Sequence, residues 1–316
     1  MAVKYPIHRD FAFIPSINQR FSRFPVAVTN ALITFSRIIQ RTARPGVDVL
    51  DRYIPGRLNP IRLKIFQPTS DSENTKRPCL VYFHGGAFAL TYCGPHLMAA
   101  AAYADRLNAV VVFVEYTLMN RAAFPAGFND CYDATVWTCE NANTLGIDET
   151  RLFVGGDSAG GGLAATVAQK ALDENSVSIG GQLLIYPVTD RSCATESVKK
   201  FRDTPIWNGV SNERMWKKYL EHYSEKDVPQ YAAAGDRKEL SGLPPAYVEL
   251  AEFDPLHDEG LDYARRLEAD GVQVDIFDTK GTIHGYDDIA RKNPISIEAM
   301  NRRIAFLQRC INADVR

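Results

Sequence analysis

RLFVGGDSAGG, residues 151–161, packs a strand-like apolar run, a glycine-framed serine and the start of a helical pattern into one short stretch. Gly156-Asp157-Ser158-Ala159-Gly160 fits G-x-S-x-G, and its place between strand and helix is the context a nucleophile elbow requires. Glycine inside a helix costs roughly 1 kcal/mol relative to alanine, so a helix start this rich in glycine needs a reason. A sharp turn supplies one. Positions two before and two after the serine must be small for strand and helix to approach each other. Such a turn lifts Ser158 to the C-terminal edge of a sheet, where the helix N-terminus offers free N–H groups to a developing oxyanion. A rival dinucleotide fingerprint, Gly160-x-Gly162-x-x-Ala165, falls inside the helix, where no phosphate loop forms.

Outward from this stretch, strand and helix alternate. CLVYF (79–83) and AVVVFVEY (109–116) are short, nearly continuous apolar runs, as expected of strands buried on both faces of a parallel sheet. Residues 151–155, 181–188, 246–250 and 272–278 continue the series, and VDVLDRYI and IRLKIFQP read as an early hairpin or meander. Helical patterns fall near 96–107, 129–142, 159–173, 260–269 and 295–311. The alternation predicts an α/β fold with a mostly parallel central sheet and helices on both faces. TSDSENTKRP (69–78) reads as a polar turn. Two excursions break the pattern, giving four expected segments: a helical, aromatic N-terminal cap segment (1–45), a first part of the core (46–190), a cap insertion (191–240) and a second part of the core (241–316).

A nucleophilic serine needs a base and an orienting acid, in the order Ser, Asp/Glu, His for this arrangement. Asp254 follows the strand AYVEL, and His284 follows VQVDIFD, so both fall in loops at strand ends. His257 is close to Asp254 on the same loop, an awkward reach for an Asp–His pair. His8, His96 and His222 are expected in the cap or on a helix, solvated. Glu252, Asp258 and Glu259 are rival acids that read as loop-stabilising or solvated carboxylates. After CLVYF comes His84-Gly85-Gly86-Ala87-Phe88, an HGGG-type loop. Backbone N–H groups of Gly85, Gly86 and Ala159 are the expected oxyanion donors, and His84 is expected to orient the loop.

These motifs together resemble the hormone-sensitive-lipase-like branch of the α/β-hydrolase esterases. HGGAF at 84–88, GDSAGG at 156–161, DPLHDEG at 254–260 and HGY at 284–286 stand in that family's order over roughly residues 60 to 310. The resemblance implies an α/β-hydrolase fold and serine esterase activity on small acyl esters with no cofactor or metal. It also implies a helical cap made from the N-terminal segment and an insertion after the sixth strand. The chain departs from the family at Tyr116-Thr117-Leu118-Met119-Asn120-Arg121, where Y-R-L-A-P-E is usual. A usual arginine and glutamate are gone there, and Arg121 reverses a charge. The expected activity is hydrolysis of short-chain carboxylic esters through an acyl-enzyme; amide hydrolysis, or ligand binding without catalysis on the same fold, are the alternatives.

Bulk properties agree. The 316 residues are 46% hydrophobic and 23% charged, with a formal charge of −2, which gives no electrostatic reason to expect nucleic acid or an anionic membrane as partner. Phe24 to Ile39 carries polar residues throughout and reads as an amphipathic helix rather than a membrane span. MAVKYPIHRD has no unbroken apolar core of the kind a secretion leader needs, which places the chain in the cytoplasm as an expectation. Six scattered cysteines without a C-x-x-C pair are expected as reduced, mostly buried thiols. The late strand VQVDIFD leaves either a monomer or a homodimer open.

Overall fold

The computed structural model describes residues 4–39, 44–70 and 76–313. Residues 71–75 of the polar turn expected at 69–78 lie outside the described residues, as do 1–3 and 40–43 of the cap segment.

Eight strands form one sheet: β1 (Val47–Ile54), β2 (Ile61–Pro68), β3 (Arg77–Phe83), β4 (Val110–Glu115), β5 (Ile147–Asp157), β6 (Gln182–Ile185), β7 (Ala246–Phe253) and β8 (Val274–Ile283). Their order is β1-β2-β4-β3-β5-β6-β7-β8. β2 is antiparallel to both β1 and β4, and every other pairing is parallel. The ten α-helices among the described residues are α1 (Arg23–Ile39), α2 (Gly94–Leu107), α3 (Ala126–Glu140), α4 (Ala142–Leu145), α5 (Ala159–Glu174), α6 (Glu196–Lys200), α7 (Gly209–Tyr219), α8 (His257–Ala269), α9 (Tyr286–Ile289) and α10 (Pro294–Asn312).

Alternation along the central strands decides which helices cover which face. Val81 and Phe83 of β3, with Val110, Val112 and Val114 of β4, join a core shared with α3, α5 and α8. Leu80, Tyr82, Val111 and Phe113 point the other way, into a core shared with α2 and α10. Both faces are therefore apolar, which explains why these strands read as continuous hydrophobic runs. Arg303 of α10 is 2% exposed and ion-paired to the fully buried Glu249 of β7, so a charged pair bolts that helix to the sheet.

Several strands differ in length from the reading: β5, expected at 151–155, spans Ile147–Asp157, and β7, expected at 246–250, runs on to Phe253. The strand expected at 181–188 ends at Ile185, because Tyr186 takes φ +34° and Pro187 has no N–H to continue the ladder. The strand expected at 272–278 instead runs to Ile283, and β8 forms one edge of the sheet. All six cysteines are free, but only Cys79 and Cys131 are fully buried; the other four are half-buried, which corrects the expectation for them.

The two excursions from the α/β alternation touch each other. The Gln19 N–H donates to Ser211 Oγ at 2.9 Å, and Arg214 donates to the Gln19 carbonyl at 3.2 Å. Phe11 and Phe21 are buried, whereas Phe13 and Phe35 are exposed; the Phe24 side chain lies outside the described ones.

Candidate active site

Strand β5 runs to Asp157 and helix α5 starts at Ala159, so Ser158 alone makes the turn. Its φ of +55° and ψ of −119° are strained for a residue with a side chain. The flanking glycines are obligatory on steric grounds. A Cβ on Gly156 would lie 2.4 Å from the Phe83 carbonyl oxygen, and one on Gly160 would lie 2.0 Å from the same atom. The Ser158 N–H donates to the Ile185 carbonyl at 2.8 Å, and its own carbonyl accepts from Val188 at 3.1 Å, so β6 and the chain beyond it clamp the turn.

Asp254 follows β7 and His284 follows β8, and the parallel register brings both to the edge where Ser158 stands. His284 Nε2 is 2.8 Å from Ser158 Oγ, and His284 Nδ1 is 2.6 Å from Asp254 Oδ2. The other Asp254 oxygen accepts the Leu256 N–H at 3.0 Å. Asp254 is fully buried, and Ser158 and His284 are 6% and 7% exposed. Tyr186 meets the His284 ring edge-on at 4.8 Å, and Trp207 lies 6.1 Å from it. An imidazole held between a carboxylate and a hydroxyl in this way can take the hydroxyl proton and return it.

His257 stands outside this chain of bonds. Its ring nitrogens face Asp258 at 2.9 Å and Asp278 at 3.4 Å. The three rival acids hold loops: Glu252 accepts the Gly281 N–H, Asp258 accepts the Ser197 N–H, and Glu259 accepts those of Thr189 and Asp190. Burial pushes the Glu259 carboxyl well above the usual range, against the pull of those two N–H groups.

The loop after β3 requires one correction. Gly85 was expected as an oxyanion donor, but its N–H donates to Asp157 Oδ2 at 3.0 Å and is not free for a substrate oxygen. A Cβ at Gly85 would lie 2.1 Å from that same Oδ2, so glycine is needed there to admit a carboxylate. Gly86, Ala87 and Phe88 follow at φ of +118°, +55° and +56°, curling the backbone over the serine's edge of the sheet. The N–H groups of Gly86, Ala87 and Ala159 have no acceptor among the described residues. His84 is buried and stacked on Tyr116 at 4.4 Å, and its carbonyl accepts the Tyr116 hydroxyl at 2.8 Å. In the segment that departs from the family pattern, the Met119 N–H donates to the Phe88 carbonyl at 2.7 Å and steadies the curl.

His96 is the second correction. Expected as solvated, it is 8% exposed, with Nε2 3.1 Å from Asp157 Oδ2 and Nδ1 accepting the Cys93 N–H at 2.9 Å. Its neighbourhood in Cys93-Gly94-Pro95-His96 carries the signal that would have placed it: an N-cap, a proline in the first turn, and a side chain three residues on that folds back. Burial raises the Asp157 carboxyl, but the pairing with His96 and the Tyr82 hydroxyl at 2.9 Å outweigh it and bring it down to about 2. Cys93, His96 and Asp288 bring potential metal-ligand atoms within 4.8 Å of one another. Both His96 nitrogens are already engaged, so the imidazole has no lone pair left for an ion.

Comparison with known proteins identifies the family and relatives of the chain. The family described as "alpha/beta hydrolase fold" matches residues 80–288. Esterase LipI of Mycobacterium tuberculosis is 34% identical over 269 residues, which are 85% of this chain and 84% of LipI. Carboxylesterase NlhH of the same organism is 36% identical over 259 residues, 81% of this chain and 80% of its own. Among solved structures, a bacterial heroin esterase superposes with a TM-score of 0.88 at 33% identity, covering 98% of this chain and 99% of that one.

Proposed function

The chain belongs to the alpha/beta hydrolase family and is a carboxylic-ester hydrolase, and on that premise we propose that Ser158, His284 and Asp254 carry the reaction on short-chain acyl esters. Ser158 Oγ attacks the ester carbonyl while His284 Nε2 takes its proton. Asp254 fixes the imidazole tautomer and stabilises the imidazolium that forms. The negative oxygen of the tetrahedral intermediate is received by the N–H groups of Gly86, Ala87 and Ala159, each worth about 3–4 kcal/mol in comparable sites. His284 then gives the proton to the departing alcohol, and water attacks the acyl-enzyme through the same base. The observation that carries this reading is the continuous bond chain at 2.8 and 2.6 Å ending on a strained serine.

Substrate size follows from what surrounds the serine. We assign residues 1–45 and 191–240 to a cap. Phe88 of the curled loop stacks on Tyr219 at 4.0 Å, with Trp216 6.2 Å from the same ring, and Trp207 closes in on His284. These aromatic walls suit a short acyl chain. No helix of the described residues is long and apolar enough to cross a membrane. The test is labelling with a fluorophosphonate followed by peptide mapping. Modification at Ser158 is expected, and a label elsewhere would overturn the assignment.

A further inference from the structure

We propose that His96 is a positioning residue for the oxyanion loop, acting through Asp157; this rests on the reading of Ser158 as nucleophile. The loop is strained backbone, with three successive residues at positive φ, and two of them carry side chains. Strain of that kind persists only where the surroundings over-determine it. Consecutive N–H groups in such a curl converge on one point, so their aim depends on the peptide that starts it. That peptide is Gly85, and its N–H is tied to Asp157 Oδ2 at 3.0 Å.

Asp157 is itself held from two sides. Tyr82 donates to Oδ1 at 2.9 Å, and His96 Nε2 meets Oδ2 at 3.1 Å. The direction of that second contact is set by the helix start. Nδ1 faces the Cys93 N–H at 2.9 Å, which leaves Nε2 to present a proton to the carboxylate, and the charge of Asp157 favours that proton. The N-cap of α2 thus fixes a ring, the ring fixes a carboxylate beside the nucleophile, and the carboxylate fixes the first peptide of the loop. His96 touches neither the ester nor the triad. It acts where charge develops, because a preorganised donor loses its advantage when its aim wanders.

Two amide variants separate this role from a simple helix cap. In His96→Asn, the shorter amide can still accept the Cys93 N–H but cannot reach Asp157. In His96→Gln, the amide nitrogen falls near the place of Nε2 and restores the donor. For His96→Asn we expect kcat to fall about 10- to 100-fold, less than for outright loss of an oxyanion donor, with KM within about threefold. A trifluoromethyl ketone, which forms the tetrahedral adduct, should bind more weakly by the same factor. His96→Gln should recover to within about fivefold of the parent. An asparagine variant with parental kcat, or a glutamine variant no better than the asparagine one, would overturn the role of His96 while leaving the nucleophile intact. Fluorophosphonate labelling of the parent at a residue other than Ser158 would overturn both readings together.

Discussion

The helix start at Gly160 presses against Phe83 so closely that a single β-carbon would stand 2.0 Å from the Phe83 carbonyl oxygen, with the carbonyl carbons of Phe83 and His84 at 2.6 and 2.8 Å. The turn that carries Ser158 and the strand that feeds the His84–Phe88 loop are therefore in backbone-to-backbone contact. Neither can shift without the other. Gly160→Ala is expected to destabilise the protein by about 3 kcal/mol or more, since no flexible side chain can give way. Gly161→Ala meets Pro187 Cβ at 3.1 Å and the Gly156 carbonyl oxygen and Pro187 Cα at 3.2 Å, about an ångström farther off than at Gly160, and it gains helix propensity, so its cost should be clearly the smaller of the two. Urea unfolding of the two variants checks the contrast, and equal losses would mean the contact is softer than this.

Replacing Asp254 by asparagine should lower kcat by about 10⁴-fold, the loss seen when the histidine of a comparable triad is held in the wrong tautomer. Glu252→Gln and Asp258→Asn should stay within about tenfold, since those carboxylates hold the Gly281 and Ser197 N–H groups and not the imidazole. Steady-state kinetics on one ester would rank the three.

Glu259 gives a pH-dependent stability with a definite sign. Burial raises its carboxyl in the folded protein, and one of its oxygens is buried without a partner among the described residues. Below the ordinary glutamate pKa both folded and unfolded chains hold the proton. As pH rises past it, the unfolded chain ionises first, and stability falls by about 1.4 kcal/mol for each pH unit over which only that chain is charged. Glu259→Gln removes this dependence. Melting temperatures should therefore favour the glutamine variant increasingly between pH 4 and pH 8, and a constant difference would contradict the assignment.

Acyl length should show a maximum. Each methylene that packs against Phe88, Trp207, Trp216 and Tyr219 gains up to about 0.8 kcal/mol, roughly fourfold in kcat/KM, until the space beside them is full. With p-nitrophenyl esters the expected peak lies at roughly two to six acyl carbons, with a decline well before twelve. Rates that keep climbing on longer chains would mean that the cap opens wide.

That Ser158, Asp254 and His284 would meet was legible because each sits just past an apolar run, where a parallel sheet exposes its loops. Strand order makes neighbours of residues 96 and 126 positions apart, yet the order Ser, Asp, His and the strand-end placement suffice to find them. Gly85 and His96 were misread for one reason. Their partner is Asp157, 72 and 61 residues away, and a side chain that reaches across two elements leaves no periodicity. HGG reads equally well as a donor and as a place where a carboxylate must fit. Strand lengths were misjudged where local backbone chemistry rules: Pro187 cut β6 short, whereas the register of β7 with β8 carried the latter through Gly281 to Ile283.

The bond chain at the serine is also unevenly anchored. Ser158 rides on β5 in the middle of the sheet, while His284 hangs from β8, which has a strand on one side only. Sheet margins open at lower free energy than centres, through local fraying that leaves the core folded. Opening of β8 alone would carry His284 away from a Ser158 that stays in place. Inactivation by heat or denaturant should accordingly run ahead of global unfolding, and any contact that seals the outer side of β8 would lengthen the working life of the enzyme without touching its chemistry.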